Sequence, residues 1–337
     1  MIEVTETEPT IFIDNDSLSH LKLDSYTNIA ILVDENTKKY CLDKLISDHP
    51  FLKKAELICL GQGEEYKTLE SCCRIWDVLS DLQFDRSSLL ICLGGGVICD
   101  IGGFAASSFK RGIDFINIPT TLLSMVDASL GGKNGIDYKG LKNQIGSFNN
   151  PKQIVIHPGF LKTLDSKQIK SGFAEVIKHA LIADKEYWNL ITNTSFEKIN
   201  WEEIIFHSIR IKNKFVCQDP FDKSIRKQLN FGHTIGHAIE SYYLSIKKPI
   251  LHGEAIAMGM IIESKLSNLN NDALTEIIQF LQSQMNLPEL PKFDLIYPWL
   301  ANDKKNKKNK ILFSLLTQIG ECQHDIVKTK EEISQYF

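Results

Sequence analysis

Five short, nearly all-apolar runs punctuate the first half of the chain: Asn28 to Val33 (NIAILV), Ala55 to Leu60 (AELICL), Leu89 to Leu93, Ile113 to Ile118 and Gln153 to Ile156. Runs rich in β-branched residues that are apolar at nearly every position, not at every second one, predict strands covered on both faces, as in a parallel sheet. Polar, helix-compatible stretches separate them. Between Thr68 and Gln83, the residues Leu69, Cys72, Trp76, Leu79 and Leu82 recur at three- and four-residue steps and so share one helical face. Strands alternating with helices predict a doubly wound, Rossmann-like sheet.

After Gly159 the texture changes. The patterns become long and helical: Ile169 to Ala183, Trp201 to Val216, Arg226 to Leu244, Glu254 to Leu269 and Ala273 to Gln284, with a late extended piece at Lys310 to Leu316. The expected organisation is a Rossmann-like domain over 1–155 and a helical domain over 156–337.

Composition narrows the function classes. At 337 residues and 43% hydrophobic the chain can bury two packed cores. Lys+Arg 38 against Asp+Glu 42 gives a formal charge of -4, so no global basic field invites nucleic acid or an anionic membrane, and an anionic ligand must be met by local charges. The eight cysteines lie mostly in apolar runs without CxxC spacing, which reads as reduced core thiols. The acidic start, MIEVTETEPT, lacks a secretory pattern, and no apolar run approaches the ~18 residues of a membrane span, so a cytoplasmic address is expected.

Three clusters carry candidate chemistry. First, the run Leu89 to Leu93 ends on Gly94-Gly95-Gly96 and a small-residue helical pattern follows; such a junction either cradles a phosphate at a helix N-terminus or is only a tight turn with close helix packing. Asp34 ends the first run and suits a ribose hydroxyl or a helix cap equally well. Second, Gly131-Gly132 leads directly into Lys133, near Asp127, Lys142 and Asn143, while Arg111, Lys178, Lys212 and Arg226 are further cations, each either solvated or part of a positive lining. Third, His233 and His237 stand four apart, followed by His252-Gly253-Glu254. Spacing alone pairs His233 with His237 as metal ligands, with Glu175 from another helix as the carboxylate; the alternative is a pair of packed histidines.

Taken in order, the motifs GEEYK (63–67), GGGVICD (94–100), KRG (110–112), PTTLLSMVDASLGGK (119–133), LKNQIGSF (141–148), GFAEVIKH (172–179), RKQLNFGHTIGHAIE (226–240), LHGEAIAMGM (251–260) and DKK (303–305) make the chain resemble the 3-dehydroquinate synthase family, from about Asn28 through Gly320. The resemblance implies an α/β Rossmann-like N-terminal domain followed by an all-helical metal-binding C-terminal domain. It assigns Asp34, Glu64, Lys67, Gly94, Gly95, Gly96, Asp100, Thr120, Thr121, Phe160 and Thr163 to bound NAD, with Lys133 and Lys142 alongside. It gives the metal, Zn2+ or Co2+, to Glu175, His233 and His252, and moves His237 from the ligand set to proton handling at the substrate phosphate. Lys133, His237, Asp127, Lys178 and Asn230 become catalytic; Arg111, Lys142, Asn143, Lys212, Arg226 and one of Lys304 and Lys305 bind substrate. Arg111 matches an arginine lent across a dimer interface, which implies a homodimer.

The implied reaction converts a seven-carbon deoxyheptulosonate phosphate to 3-dehydroquinate and phosphate, with NAD used and regenerated. Cys99 stands where the family usually carries glycine, Ala128 where serine is common, Ser224 where glycine is common and Asp222 where glutamate is usual. Rival readings are another sugar-phosphate cyclase, a metal-dependent alcohol dehydrogenase of the glycerol dehydrogenase type, and a non-catalytic NAD-binding protein.

Overall fold

All five apolar runs form strands of one sheet in the computed structural model, which describes residues 2–4, 9–139, 141–301 and 311–337. The chain packs as two compact units, 1–165 with 201–213, and 166–200 with 214–337. The first contains, in order, β1 (Ile2–Val4), β2 (Thr10–Ile13), β3 (Ile29–Asp34), α1 (Glu35–Tyr40), α2 (Leu42–Asp48), β4 (Glu56–Leu60), α3 (Leu69–Asp81), β5 (Leu89–Gly94), α4 (Gly96–Ser108), β6 (Asp114–Pro119), β7 (Lys133–Tyr138), β8 (Leu141–Phe148) and β9 (Gln153–Ile156).

Among the described residues the main sheet has the order β1-β2-β9-β6-β5-β3-β4. All its pairings are parallel except β1 with β2. Every residue of β5 is buried, and so are Ala30 to Val33 of β3, because helices cover both faces of a parallel sheet. Leu32, Cys92, Ile98, Ile101 and Phe115 share one core with Cys72, Ile75 and Leu79 of α3. That helix starts where it should: the Thr68 side chain accepts from Ser71 N at 3.2 Å. From β4 the chain returns past β3 to β5, so the strand order reverses between β3 and β5. In an open α/β sheet ligands bind at the carboxyl ends of the strands beside such a reversal. A separate two-stranded hairpin, β7 with β8, escapes the sequence pattern because its residues are polar, small and largely exposed.

The second unit is helical. It comprises α5 (Ser166–Ala183), α6 (Lys185–Thr192), the end of α7 (Trp201–Gln218), α8 (His233–Ser245), α9 (His252–Leu266), α10 (Asn271–Gln284) and α11 (Phe293–Ala301), then β10 (Ile311–Gln318), β11 (Glu321–Lys328) and α12 (Lys330–Ser334). The expected late strand is β10, and it pairs antiparallel with β11. The helix expected over Arg226 to Leu244 is broken: Ile225–Asn230 is a tight 3-10 turn, and Gly232, at φ +80°, separates it from α8. That break is imposed by packing. A Cβ on Gly259 of α9 would run into the Gly232 carbonyl oxygen, so α8 begins where two backbones touch. No described helix is long and apolar enough to cross a membrane.

Candidate active site

The carboxyl edge of the sheet gathers one set of expected residues. Asp34 ends β3, Glu64 follows β4, Gly94 ends β5 with Gly95 and Gly96 next, Thr120 and Thr121 follow β6, and Phe160 and Thr163 follow β9. Asp34 serves α1 as a cap, its Oδ1 accepting from Thr37 N at 2.8 Å. The glycine turn has no room for side chains: a Cβ on Gly94 would lie 2.5 Å from Ile98 Cβ, and one on Gly95 would lie 3.1 Å from Thr121 Cγ2. No side chain caps α4 at Gly95, so the first N–H groups of a 13-residue helix open toward that edge. An uncapped helix start behind a bare backbone cradle fits a pyrophosphate. Cys99 is buried one turn into α4, its thiol 3.8 Å from the Gly94 carbonyl, so the departure from glycine is absorbed in packing.

Lys67 ties this edge together. Its buried ammonium lies 2.5 Å from both Asp100 Oδ2 and Asn143 Oδ1, and its carbonyl accepts from Asp137 N at 2.9 Å. Asp137 Oδ1 in turn accepts from Asn143 N at 2.8 Å, holding Asn143 in left-handed backbone at φ 50°. Asp137 was not anticipated, because an acceptor of a backbone N–H six residues away has no side-chain signature. Burial lowers the proton affinity of Lys67, but the Asp100 and Glu64 carboxylates outweigh it and hold the ammonium above its ordinary range. Lys142 meets Glu64 at 3.7 Å, both well exposed, a pair worth little on its own. Lys67→Met leaves Asp100 without this partner and is expected to cost about 3 kcal/mol. The check is a denaturation midpoint without ligand: adding Asp100→Leu should recover more than half of the loss, and no recovery would show that the pair is not the cause.

Asp127, in the turn after β6, lies 2.7 Å from the buried Lys212 ammonium, which also donates to the Asp127 carbonyl at 2.5 Å. Lys133 opens β7 and is exposed. Arg111 is exposed too, in the middle of three consecutive positive-φ residues from Lys110 (φ 50°) through Arg111 (φ 67°) to Gly112 (φ 116°). Lys304 and Lys305 lie outside the described residues.

In the second unit, Glu175, His233 and His252 offer one carboxylate oxygen and two ring nitrogens within 4.8 Å of one another. Glu175 Oε1 is 3.5 Å from His233 Nε2 and 3.2 Å from His252 Nε2, and the carboxylate is fully buried. The opposite ring nitrogens are held from behind: His233 Nδ1 is 3.1 Å from the Phe231 carbonyl and His252 Nδ1 is 3.7 Å from Glu240 Oε2. Such outer contacts turn both Nε2 atoms to one point, and an N,N,O donor set of a buried carboxylate and two half-buried imidazoles fits a divalent metal of the zinc class. Gly253 N donates to Ser171 Oγ at 2.9 Å, which fastens the start of α9 one turn before Glu175 on α5. The buried Lys178 ammonium contacts Glu175 Oε2. Burial pushes His252 down, yet the hydrogen bonds its ring donates to Glu175 and Glu240 overcome it and lift it to about 9; burial and Lys178 hold His233 well below its usual range.

The spacing pair is therefore split. His237 lies near, its ring 5.1 Å from that of His233, but it is exposed and groups instead with Glu240 and His252. Arg226 is buried, donating Nη1 to the Pro220 carbonyl at 2.7 Å, and Asn230 ends the same 3-10 turn. Asp219, also unanticipated, accepts from the backbone N–H of Lys223, Ser224 and Arg226.

Comparison with known proteins bears on this arrangement. A family model described as 3-dehydroquinate synthase N-terminal matches residues 57–171, and one described as 3-dehydroquinate synthase C-terminal matches residues 172–306. A 3-dehydroquinate synthase of Parabacteroides distasonis is 41% identical over 94% of this chain and 92% of its own length. Among solved structures, a 2-epi-5-epi-valiolone synthase from Streptomyces hygroscopicus with NAD+ and Zn2+ bound is similar at TM-score 0.85 and 23% identity, over 100% of this chain and 97% of that one. A 2-deoxy-scyllo-inosose synthase with carbaglucose-6-phosphate, NAD+ and Co2+ gives TM-score 0.86 at 24% identity, over 99% and 98%.

Proposed function

The chain belongs to the 3-dehydroquinate synthase family, and from that premise we propose that it converts 3-deoxy-D-arabino-heptulosonate 7-phosphate to 3-dehydroquinate and phosphate, with catalytic NAD and Zn2+. The observation that carries this reading is the convergence of Glu175, His233 and His252, in a chain that also carries Asp127, Lys133, Lys142, Lys178, Lys212 and Arg226. A carboxylate, a phosphate and a ring hydroxyl on one substrate call for fixed cations beside a metal, and an ordinary alcohol dehydrogenase has no use for so many.

When bound, NAD supplies a reversible hydride acceptor and the metal a Lewis acid that lowers the pKa of a substrate hydroxyl. Asp34, Glu64, Lys67, Gly94, Gly95, Gly96, Asp100, Thr120, Thr121, Phe160 and Thr163 would hold the dinucleotide, and Glu175, His233 and His252 the metal. The chain's own groups bind and orient. Lys212 holds Asp127 in place and, with Arg226, Asn230 and Lys178, carries the hydrogen bonds to the substrate's carboxylate and hydroxyls. Arg111, Lys133 and Lys142 compensate the phosphate charge, Asn143 hydrogen-bonds it, and His237, exposed beside His233, handles a proton there. Fixed cations of this kind act by orientation and charge stabilisation, with no covalent nucleophile. We further assign the chain to a homodimer in which each Arg111 serves the neighbouring active site, and to the cytoplasm.

Purified chain given the heptulosonate phosphate, Zn2+ and a trace of NAD is expected to release one phosphate per 3-dehydroquinate formed, over many turnovers per NAD, without net NADH. Absence of turnover, or NADH accumulating with product, would overturn the reading; the latter points to a dehydrogenase.

A further inference from the structure

We propose that Glu263 is a positioning residue for the metal centre: from α9, its carboxylate caps the start of α8 and so sets where His233 presents Nε2. The inference rests on the reading that Glu175, His233 and His252 hold the metal.

The start of α8 cannot cap itself. Its N-cap residue is Gly232, in left-handed backbone at φ +80°, and a Cβ there would lie 2.5 Å from Met260 Cγ and 3.1 Å from the Ile256 carbonyl oxygen. The side chains that usually close a helix start are therefore excluded by the approach of α9. Glu263 does the work from outside. Its Oε2 accepts from Gly232 N at 2.6 Å and its Oε1 from Ile235 N at 3.0 Å. These are the N-cap and N3 donors, the same two that a local capping box satisfies with two side chains. Here one carboxylate takes both.

Burial makes the arrangement specific. Glu263 is fully buried in α9, at the end of an apolar run from Ala255 to Ile262 and beside the buried Ser264 and Leu266. An ionised group in such surroundings costs several kcal/mol unless hydrogen-bonded, and the two N–H groups at a helix N-terminus offset that cost. The placement also couples directly to the ligands. Gly232 packs on Met260, Gly236 on Ile256, and Glu240 reaches His252, so α8 and α9 run antiparallel with His233 next to the capped end. At about 100° per residue, His252, Gly259 and Glu263 fall within ~40° on one face of α9. One helix therefore supplies a ligand, the close-contact glycine and the cap of the helix that bears the second ligand. A slip of α8 by one residue moves His233 by ~1.5 Å, against a tolerance of ~0.2 Å in metal–ligand distances.

The test uses the full chain stripped of metal and titrated with Zn2+ against a chromophoric chelator, and with Co2+ while its visible absorption is recorded. Glu263→Gln keeps size but offers one acceptor and turns an NH2 toward the other N–H. It is expected to bind Zn2+ about 10–100-fold more weakly and to shift the Co2+ spectrum. Glu263→Asp should fall between it and the unaltered chain, and carries the test if Glu263→Gln does not fold. Ile262→Ala, a core cavity next door on α9, is the control, expected to lower the melting temperature and leave Zn2+ affinity within about twofold. Unchanged Zn2+ affinity and Co2+ spectrum in Glu263→Gln and Glu263→Asp overturn the proposal, as does an equal loss in Ile262→Ala. If Glu175→Gln also leaves Zn2+ affinity unchanged, the metal reading itself has failed, and that failure is thereby told apart from a failure of Glu263 alone.

Discussion

Glu175→Gln is expected to release the metal and to lower kcat/KM by about 10^4-fold. Glu175 contributes the one anionic oxygen of the donor set, 3.2 and 3.5 Å from the two Nε2 atoms. Its amide analogue presents a neutral oxygen and turns away from a cation that needs charge neutralised in a buried site. Losing a Lewis acid removes several kcal/mol of transition-state stabilisation, and about 5.5 kcal/mol is four decades. A second effect competes for the same readout. Lys178, buried to 1% exposure, contacts Glu175 Oε2 and would lose that counter-charge, at about 3–5 kcal/mol of stability. The two are separable, because the stability loss lowers the melting temperature and the amount of folded protein, while the metal loss lowers the rate per folded molecule. Metal content by atomic absorption, with activity normalised to native protein, decides. A variant that is metal-free yet fully active would refute the site.

Whether a feature could be read from the sequence followed a physical dividing line. Strands buried on both faces announce themselves by continuous apolar runs, and β3, β4, β5, β6 and β9 fall within a residue or so of their expected places. The hairpin β7–β8 does not, since exposure removes the alternation that would mark it. Helix spacing proposed His233 with His237, because residues four apart do share a face. Which two histidines point at Glu175 is decided instead by the crossing of α8 on α9, a contact between glycines that no periodicity encodes. Only the ordered family motifs carried His252. Asp137, Asp219 and Glu263 went unnoticed for one reason: each accepts hydrogen bonds from backbone N–H groups, and backbone donors look the same at every residue. Glu263 alone left a trace, as a lone acid in GMIIESKL, and an unexplained acid in a buried helix is the signal to follow.

Arg226→Leu is expected to lower kcat/KM by about 10^3-fold, chiefly through KM, with metal content intact. Arg226 is buried to 3% exposure, its backbone N–H donates to Asp219 Oδ2 at 3.2 Å and its Nη1 to the Pro220 carbonyl at 2.7 Å. With its backbone held by Asp219 and its guanidinium by the Pro220 carbonyl, the residue keeps its planar fork aimed, which suits a carboxylate accepting two parallel hydrogen bonds. Two charge-assisted bonds at about 1.5–3 kcal/mol each give roughly the three decades expected. Arg226→Lys should recover only part, since an ammonium is a point charge without the fork. The loop that aims it resists acid. Burial pushes the Asp219 carboxyl up, but three backbone N–H donors outweigh burial and hold it below the ordinary carboxylate range. A depressed carboxyl contributes its full stabilisation above the unfolded value near 3.8 and loses it as pH falls through the folded one. KM should therefore show no titration of Asp219 at any pH where the enzyme works, whereas Asp219→Ala, which removes the acceptor altogether, should reproduce part of the KM effect at neutral pH. A loss in kcat with KM unchanged would move Arg226 from substrate binding to the chemical step. Set beside Glu175→Gln, which loses metal and kcat together, a metal-replete variant impaired in KM would show that binding charge and metal chemistry are carried by separate residues of the second unit.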